Sequence, residues 1–230
     1  IINIALTLIT AVGTVMLPRM TALISNNNIS ESRKYIDKSM ALVLAYSNAV
    51  AFGIFAVGKL FAVVYYGKDF EKTGIIMILL AVTIVFLGCG NVVRTQYLIP
   101  NKHDKIYIYS AIIGAVVNLV INGLLIPEYA SIGAAIGTIA AEFCVLFYQL
   151  YSIRKELNLK EYAQYEAIFA LIGVIMVIVI NVLPESDSSA INLAVKILAG
   201  GCVYVIIAGF YLVKAQQFKI PVFHGRWKKK

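Results

Sequence analysis

The chain has 230 residues, of which 60% are hydrophobic and 14% charged; its mean hydropathy is +0.84 and its formal net charge +8. A water-soluble domain is nearer 45–50% apolar and about 25% charged, so the composition excludes an ordinary soluble enzyme or binding module. The apolar residues fall in repeated runs of about 20, each long enough to cross the ~30 Å of hydrocarbon in a bilayer.

In chain order, seven spans are predicted: Ile1–Pro18 (shortened), Met40–Gly58, Gly74–Ile99, Tyr107–Ile126, Ile132–Ile153, Ala167–Leu183 and Ala190–Val213. The fold class is therefore all-α, a polytopic membrane helix bundle. The chain opens inside an apolar run with no charged leader, which does not read as a signal peptide and is expected of a fragment lacking its N-terminal part. Asn28 and Glu31 have capping-box spacing, so a helix is expected to start near Ile29 and run into the second span. Leu60–Tyr66 is too short to cross and, with Gly67–Phe70, reads as an interfacial turn. Tyr107–Ile126 and Ile132–Ile153 are separated by a very short turn and are expected to pair.

Charge placement orients the bundle. Fifteen Lys and Arg residues lie in one set of loops and the tail: Arg19, Arg33, Lys34, Lys38, Lys102, Lys105, Arg154, Lys155, Lys160 and the six from Lys214 to Lys230. The opposite loops hold Lys59, Lys68 and Lys72. Cytoplasmic loops carry the positive excess, which puts the first set and the C-terminus in the cytoplasm. The basic balance is thus a topology signal and not a nucleic-acid footprint. The tail from His224 to Lys230 is also suited to anionic headgroups. Cys89, Cys144 and Cys202 stand singly in apolar spans, and His103 and His224 have no ligand cluster at metal spacing, so neither a disulfide framework nor a metal site is expected.

Polar groups inside spans are costly and mark function or helix–helix bonding. Asn118 and Asn122 share a helix face at i, i+4; they suit either amide bonding to a neighbouring span or a cavity wall that meets sugar hydroxyls. Gly133, Gly137 and Ala141 form a small-residue stripe for close helix approach. Thr138 and Glu142 form a second stripe, and Glu142 is about ten residues from either end of its span. A mid-helix acid there must face protein or water, as a structural partner, a coupling-ion site or a protonatable group. Arg94 lies six residues before Pro100, about 9 Å inside the cytoplasmic end at 1.5 Å per residue, with Asn91 and Gln96 nearby. It can snorkel or bind a pyrophosphate through its forked donors. Lys196 is at similar depth from the outer side, where snorkelling is the simpler reading.

A family resemblance emerges from motifs in order. These are Leu17-Pro18-Arg19 at a helix end, Tyr66-Gly67-Lys68-Asp69-Phe70, and Asn118-Leu119-Val120-Ile121-Asn122 followed by Leu125-Ile126-Pro127-Glu128-Tyr129; Ile132-Gly133-Ala134-Ala135-Ile136-Gly137-Thr138 completes the set. From about Val12 to Glu142 the chain resembles the C-terminal half of polysaccharide-repeat-unit flippases, which belong to the multidrug/oligosaccharidyl-lipid/polysaccharide exporter superfamily. Ala130 departs from the family's usual Gly, narrowing the backbone options at that turn. The resemblance implies residues 1–153 as helices of a C-terminal lobe, 154–213 as two additional helices and 214–230 as a basic cytoplasmic tail. It implies a non-enzymatic, alternating-access flippase of polyprenyl-pyrophosphate-linked oligosaccharides in the bacterial inner membrane. Its partners would be membrane lipid, the lipid-linked oligosaccharide and a missing N-terminal lobe. No cofactor is implied beyond a coupling ion such as sodium or a proton. Arg94, Asn91, Gln96, Asn118 and Asn122 would line its cavity, with Glu142 and Thr138 as a coupling or cavity pair. The alternatives are a multidrug or small-molecule exporter of the same superfamily, a membrane polysaccharide polymerase or ligase, for which the outer loops are short, and a non-transporting membrane protein.

Overall fold

A computed structural model describes residues 2–184 and 188–215; Ile1, residues 185–187 and the basic sequence from residue 216 lie outside the described residues. Among the described residues there are six helices long and apolar enough to cross a membrane, and no strand. One of the six, Asp104–Ser152, is broken at Ala130, whose φ of 47° and ψ of −121° are not helical. It is two helices, so the segments number seven: α1 Ile2–Ser25, α2 Ile29–Tyr66, α3 Glu71–Val92 continued by a π-helical stretch Val93–Leu98, α4 (104–129), α5 (131–152), α6 Leu159–Val182 and α7 Ser189–Ala215.

Helix α1 runs seven residues past Pro18, where the sequence reading ended it. Proline removes one backbone donor, but in an apolar environment helix remains the cheapest way to satisfy the rest. The threonines of α1 are satisfied within it: Thr7, Thr10, Thr14 and Thr21 each donate to a carbonyl three or four residues back.

Helix α2 starts at Ile29 as expected, but not by a capping box. The Asn28 amide donates to the Glu31 carboxylate at 2.7 Å, and its side chain bonds no backbone N–H. Leu60–Tyr66 is not an interfacial turn; it forms the last two turns of α2. No breaker stands between Gly58 and Gly67, and Phe61 stacks on Tyr65 one turn on, at 5.5 Å. The chain reverses at Gly67, whose φ of 103° suits glycine, and at the short 3₁₀ turn Lys68–Phe70. At 38 residues, or ~57 Å, α2 is far longer than the hydrocarbon is thick, and its first turns project beyond it.

That length makes α2 the spine of the bundle. It packs on α3, α6 and α7. Ile36, Met40 and Leu44 of α2, Ile84 and Val92 of α3, and Phe169, Met176 and Ile180 of α6 are almost fully buried in one core. The closest approaches use glycine. A Cβ at Gly74 would fall 2.7 Å from the Lys59 backbone, and one at Gly173 would fall 2.4 Å from the Phe52 ring. Two polar bonds pin α6 to α2: Tyr162 donates to Asp37 at 2.7 Å, and Asn48 donates to Glu166 at 2.9 Å.

Helices α4 and α5 fold back on each other as an antiparallel hairpin. Gln149 donates to Ser110 Oγ at 2.9 Å. Cβ atoms at Gly114, Gly137 and Gly133 would meet Val145, Asn122 and the Leu125 carbonyl at 2.5, 2.1 and 2.5 Å respectively. The small-residue stripe of α5 thus lets two backbones touch. The outer faces carry exposed apolar side chains, including Leu119 and Leu124 on α4 and Phe143, Phe147 and Tyr151 on α5. Such faces need lipid or protein against them.

Candidate functional site

A cleft of about 370 Å³ lies between α3 and the α4–α5 hairpin, lined by Arg94, Tyr107, Ser110, Asn118, Thr138, Glu142 and Gln149 among others. Each element delivers its residues by helical spacing. On α4, Ser110, Gly114 and Asn118 repeat every fourth residue; on α5, Thr138, Glu142, Val145 and Gln149 follow one face. Gly114 lets α5 approach α4 at the back of the cleft, since a Cβ there would fall 2.5 Å from Val145.

The cleft carries one cation and one anion. The Arg94 guanidinium sits 5.6 Å from the Tyr107 ring centroid, in a cation–π arrangement. The half-buried Glu142 carboxylate faces the same space and interacts electrostatically with Arg94. Around them the polar groups are largely held in place. Gln149 donates to Ser110, which donates in turn to the Tyr107 carbonyl at 2.7 Å. Thr138 donates to the Ala134 carbonyl at 3.0 Å. Asn122 donates to Asn118 Oδ1 at 2.9 Å, and Asn118 lines the cleft. The arrangement offers donors and acceptors to a polar, anionic group and contains no nucleophile activated by a base.

Of the residues singled out in the sequence, Arg94, Asn118, Thr138 and Glu142 come together in this cleft. Asn122 stands behind Asn118, its Oδ1 buried against Gly137. Asn91 and Gln96 are not cleft-lining. Asn91 is buried with its Oδ1 toward Gly13 of α1, and Gln96 is fully buried, neither amide atom having a partner. Gln96, two residues on from Arg94, lies on another face of the segment, inside the π-helical turn in which the Ile99 N–H reaches back five residues to the Arg94 carbonyl at 3.0 Å. Asn91 is turned toward α1, although the backbone between it and Arg94, at Val92 and Val93, is α-helical. Lys196 lies elsewhere, on an apolar groove of about 320 Å³ that α2 forms with α6 and α7.

Sequence reasoning missed Tyr107, Ser110 and Gln149, although Ser110 is two helical turns before Asn118 and Gln149 two turns after Glu142. It also missed the Asn48–Glu166 bond. Glu161 and Gln164 depress the local hydropathy, so Glu166 fell just before the predicted span while α6 begins at Leu159.

Comparison with known proteins adds a family to this geometry. None of the curated proteins gives a significant match. Among solved structures, the chain is similar to one described as a lipid II flippase MurJ in an inward closed conformation, with a TM-score of 0.73 and 20% sequence identity. The match covers 87% of this chain and 43% of that one, so the chain spans less than half the length of its structural relative. At that identity the likeness speaks for the fold, a portion of a multi-helix transporter. The model of the family described as lipid II flippase MurJ matches residues 1–184. That family consists of transporters and not enzymes, it falls within the exporter superfamily that the sequence motifs resemble, and the match covers most of the chain: the protein belongs to the lipid II flippase MurJ family.

Proposed function

We propose that this chain is the C-terminal lobe of a flippase for polyprenyl-pyrophosphate-linked saccharides, and that the cleft between α3 and the α4–α5 hairpin is its share of the headgroup cavity. The observation that carries the reading is Arg94 held beside Tyr107, opposite Glu142, in a cleft otherwise lined by hydroxyls and amides. A pyrophosphate saccharide cannot cross bare hydrocarbon, because its charges and hydroxyls lose their hydration. A guanidinium and a row of fixed donors replace part of that shell. At about 370 Å³ the cleft suits one wall of a larger cavity, consistent with a second lobe facing it. The apolar groove beside α7 offers hydrocarbon walls for a prenyl chain.

Lipid II, the substrate in the family's name, is the first candidate; oligosaccharide repeat units share its polyprenyl-pyrophosphate group and are the second. Alternating access then needs no covalent step. Glu142 with Thr138 is the place for a coupling proton or sodium ion. The Lys and Arg excess of one set of loops supports a C-terminus on the cytoplasmic side of a bacterial inner membrane.

The test uses the complete transporter in proteoliposomes, with fluorescent lipid II in one arm and a polyprenyl-pyrophosphate repeat unit in the other. Arg94→Ala is expected to reduce flipping at least tenfold at equal expression, while Arg94→Lys retains part of it. Wild-type rates in the Ala variant would remove Arg94 from the substrate path. The arm that is flipped identifies the saccharide class.

A further inference from the structure

The π-helical turn Val93–Leu98 combines three features that are costly separately. It replaces the α-helical ladder over the last turn of the helix, as the bond from Ile99 N–H to Arg94 C=O shows, and a non-helical turn follows at residues 99–102. It contains Gln96, wholly buried, with neither Nε2 nor Oε1 partnered. It begins just after Asn91, whose buried Oδ1 also lacks a partner. A buried amide without partners is destabilising, and an apolar side chain of the same shape would serve packing better. Single π turns in helices are frequent at functional sites.

Both ends of this turn are anchored. Above it, α3 packs along α2, and Val93 N–H still reaches the Cys89 and Gly90 carbonyls. At its C-terminal end, the Tyr97 hydroxyl donates to Glu156 in the α5–α6 connection, His103 stands 3.7 Å from the same carboxylate, and Asn101 donates to the Tyr97 carbonyl at 2.8 Å. A shift of the wide turn along the helix is therefore confined to the few residues between these anchors. It rotates them by about one residue's worth of helix, ~100°, relative to both ends. Arg94 is one of those residues, and the segment packs against α1 and the α4–α5 hairpin, the elements on either side.

We propose that Gln96 is a positioning residue for Arg94: the π-helical turn shifts during the transport cycle, Gln96 exchanges its unpartnered state for a hydrogen-bonded one as it does so, and the same rotation moves the Arg94 guanidinium relative to the cleft. This rests on the reading of Arg94 as a substrate-contacting cation, and it adds a device that brings that cation in and withdraws it. Gln96 itself touches no substrate.

The experiment is a double-mutant cycle in the complete transporter, with flipping of fluorescent lipid II and thermal stability both measured. Gln96→Met keeps the volume and removes the amide. The expected result is a melting temperature no lower than that of the unsubstituted protein together with at least a tenfold loss of flipping. The Gln96→Met/Arg94→Ala double variant is expected to flip no more slowly than the slower single variant, because both act on one event. Three results would overturn the proposal: wild-type flipping in Gln96→Met, a loss of flipping accompanied by a lowered melting temperature, or losses that multiply in the double variant. The Arg94→Ala arm by itself reads the cationic cleft. If that variant is defective while Gln96→Met is normal, the cleft stands and the positioning role falls; if Arg94→Ala is normal, the cleft reading fails first.

Discussion

Ala130 is the residue at which the α4–α5 hairpin turns, and Ala130→Gly should stabilise the protein. Its φ of 47° and ψ of −121° place it at the first corner of a type II′-like turn, where a Cβ collides with the backbone. A side-chain-bearing residue in such a region costs about 1–3 kcal/mol. Glycine removes that cost but adds about 0.4–1 kcal/mol of unfolded-state entropy. The Ala130 methyl is exposed, so little burial is lost. The balance is a gain of ~1 kcal/mol, which for a protein of this size raises the melting temperature by roughly 2–4 °C. The assay is thermal unfolding in detergent, followed by a thiol-reactive dye in a background retaining only Cys89, which is buried and reacts on unfolding. Ser131→Gly, next door on ordinary backbone, is the control and should lower the midpoint or leave it unchanged. A midpoint for Ala130→Gly that is unchanged or lower would refute the argument from backbone strain.

Gly133→Ala should do the opposite, by about 1–3 kcal/mol, because its Cβ would meet the Leu125 carbonyl at 2.5 Å and backbone cannot step aside; Gly123→Ala, in open space, should cost little in the same thermal assay. Glu142→Gln keeps shape and most hydrogen bonding but removes the charge that faces Arg94; in the complete transporter it should accumulate normally yet flip poorly, with an altered pH or sodium dependence, and normal flipping at every pH tested would end the coupling role. For topology, single cysteines at Asp69, Ser188 and Lys229 should label from outside, from outside and only after lysis respectively; outside labelling at Lys229 would invert the bundle.

The spans were legible because insertion into lipid depends on the summed hydropathy of about 20 residues, which composition reports directly. Their ends were less so. α1 continues through Pro18, and α2 through Leu60–Tyr66, because once the backbone is out of water helix is the cheapest way to satisfy its polar groups. The pairing of α4 with α5 followed from the short turn and the Gly133–Gly137 stripe. The cleft was half legible. Thr138 and Glu142 lie on regular α-helix, so the face they share at i, i+4 could be read; Asn118 and Asn122 share a face of α4 in the same way, yet only Asn118 lines the cleft. Gln96 is two residues from Arg94 and so lies on another face, and Asn91, although at i−3, is turned toward Gly13 of α1, a contact that no periodicity within α3 announces. Tyr107, Ser110 and Gln149 were missed for a different reason: nothing in one helix says which neighbour it will face.

The bond between Asn122 and Asn118 lies entirely within α4, and this bears on how the chain is made. A ribosome delivers α4 to the membrane before α5 has left the exit tunnel, so for a time α4 has no hairpin partner. Two bare amides at that stage would oppose partition of the segment into lipid. Bonded to each other one turn apart, they hide a donor and an acceptor as soon as α4 coils. When α5 arrives, Gly137 presents bare backbone to the Asn122 oxygen. The same pair that shapes one wall of the cleft thus lowers the barrier to membrane entry during synthesis, and the two roles succeed each other in time.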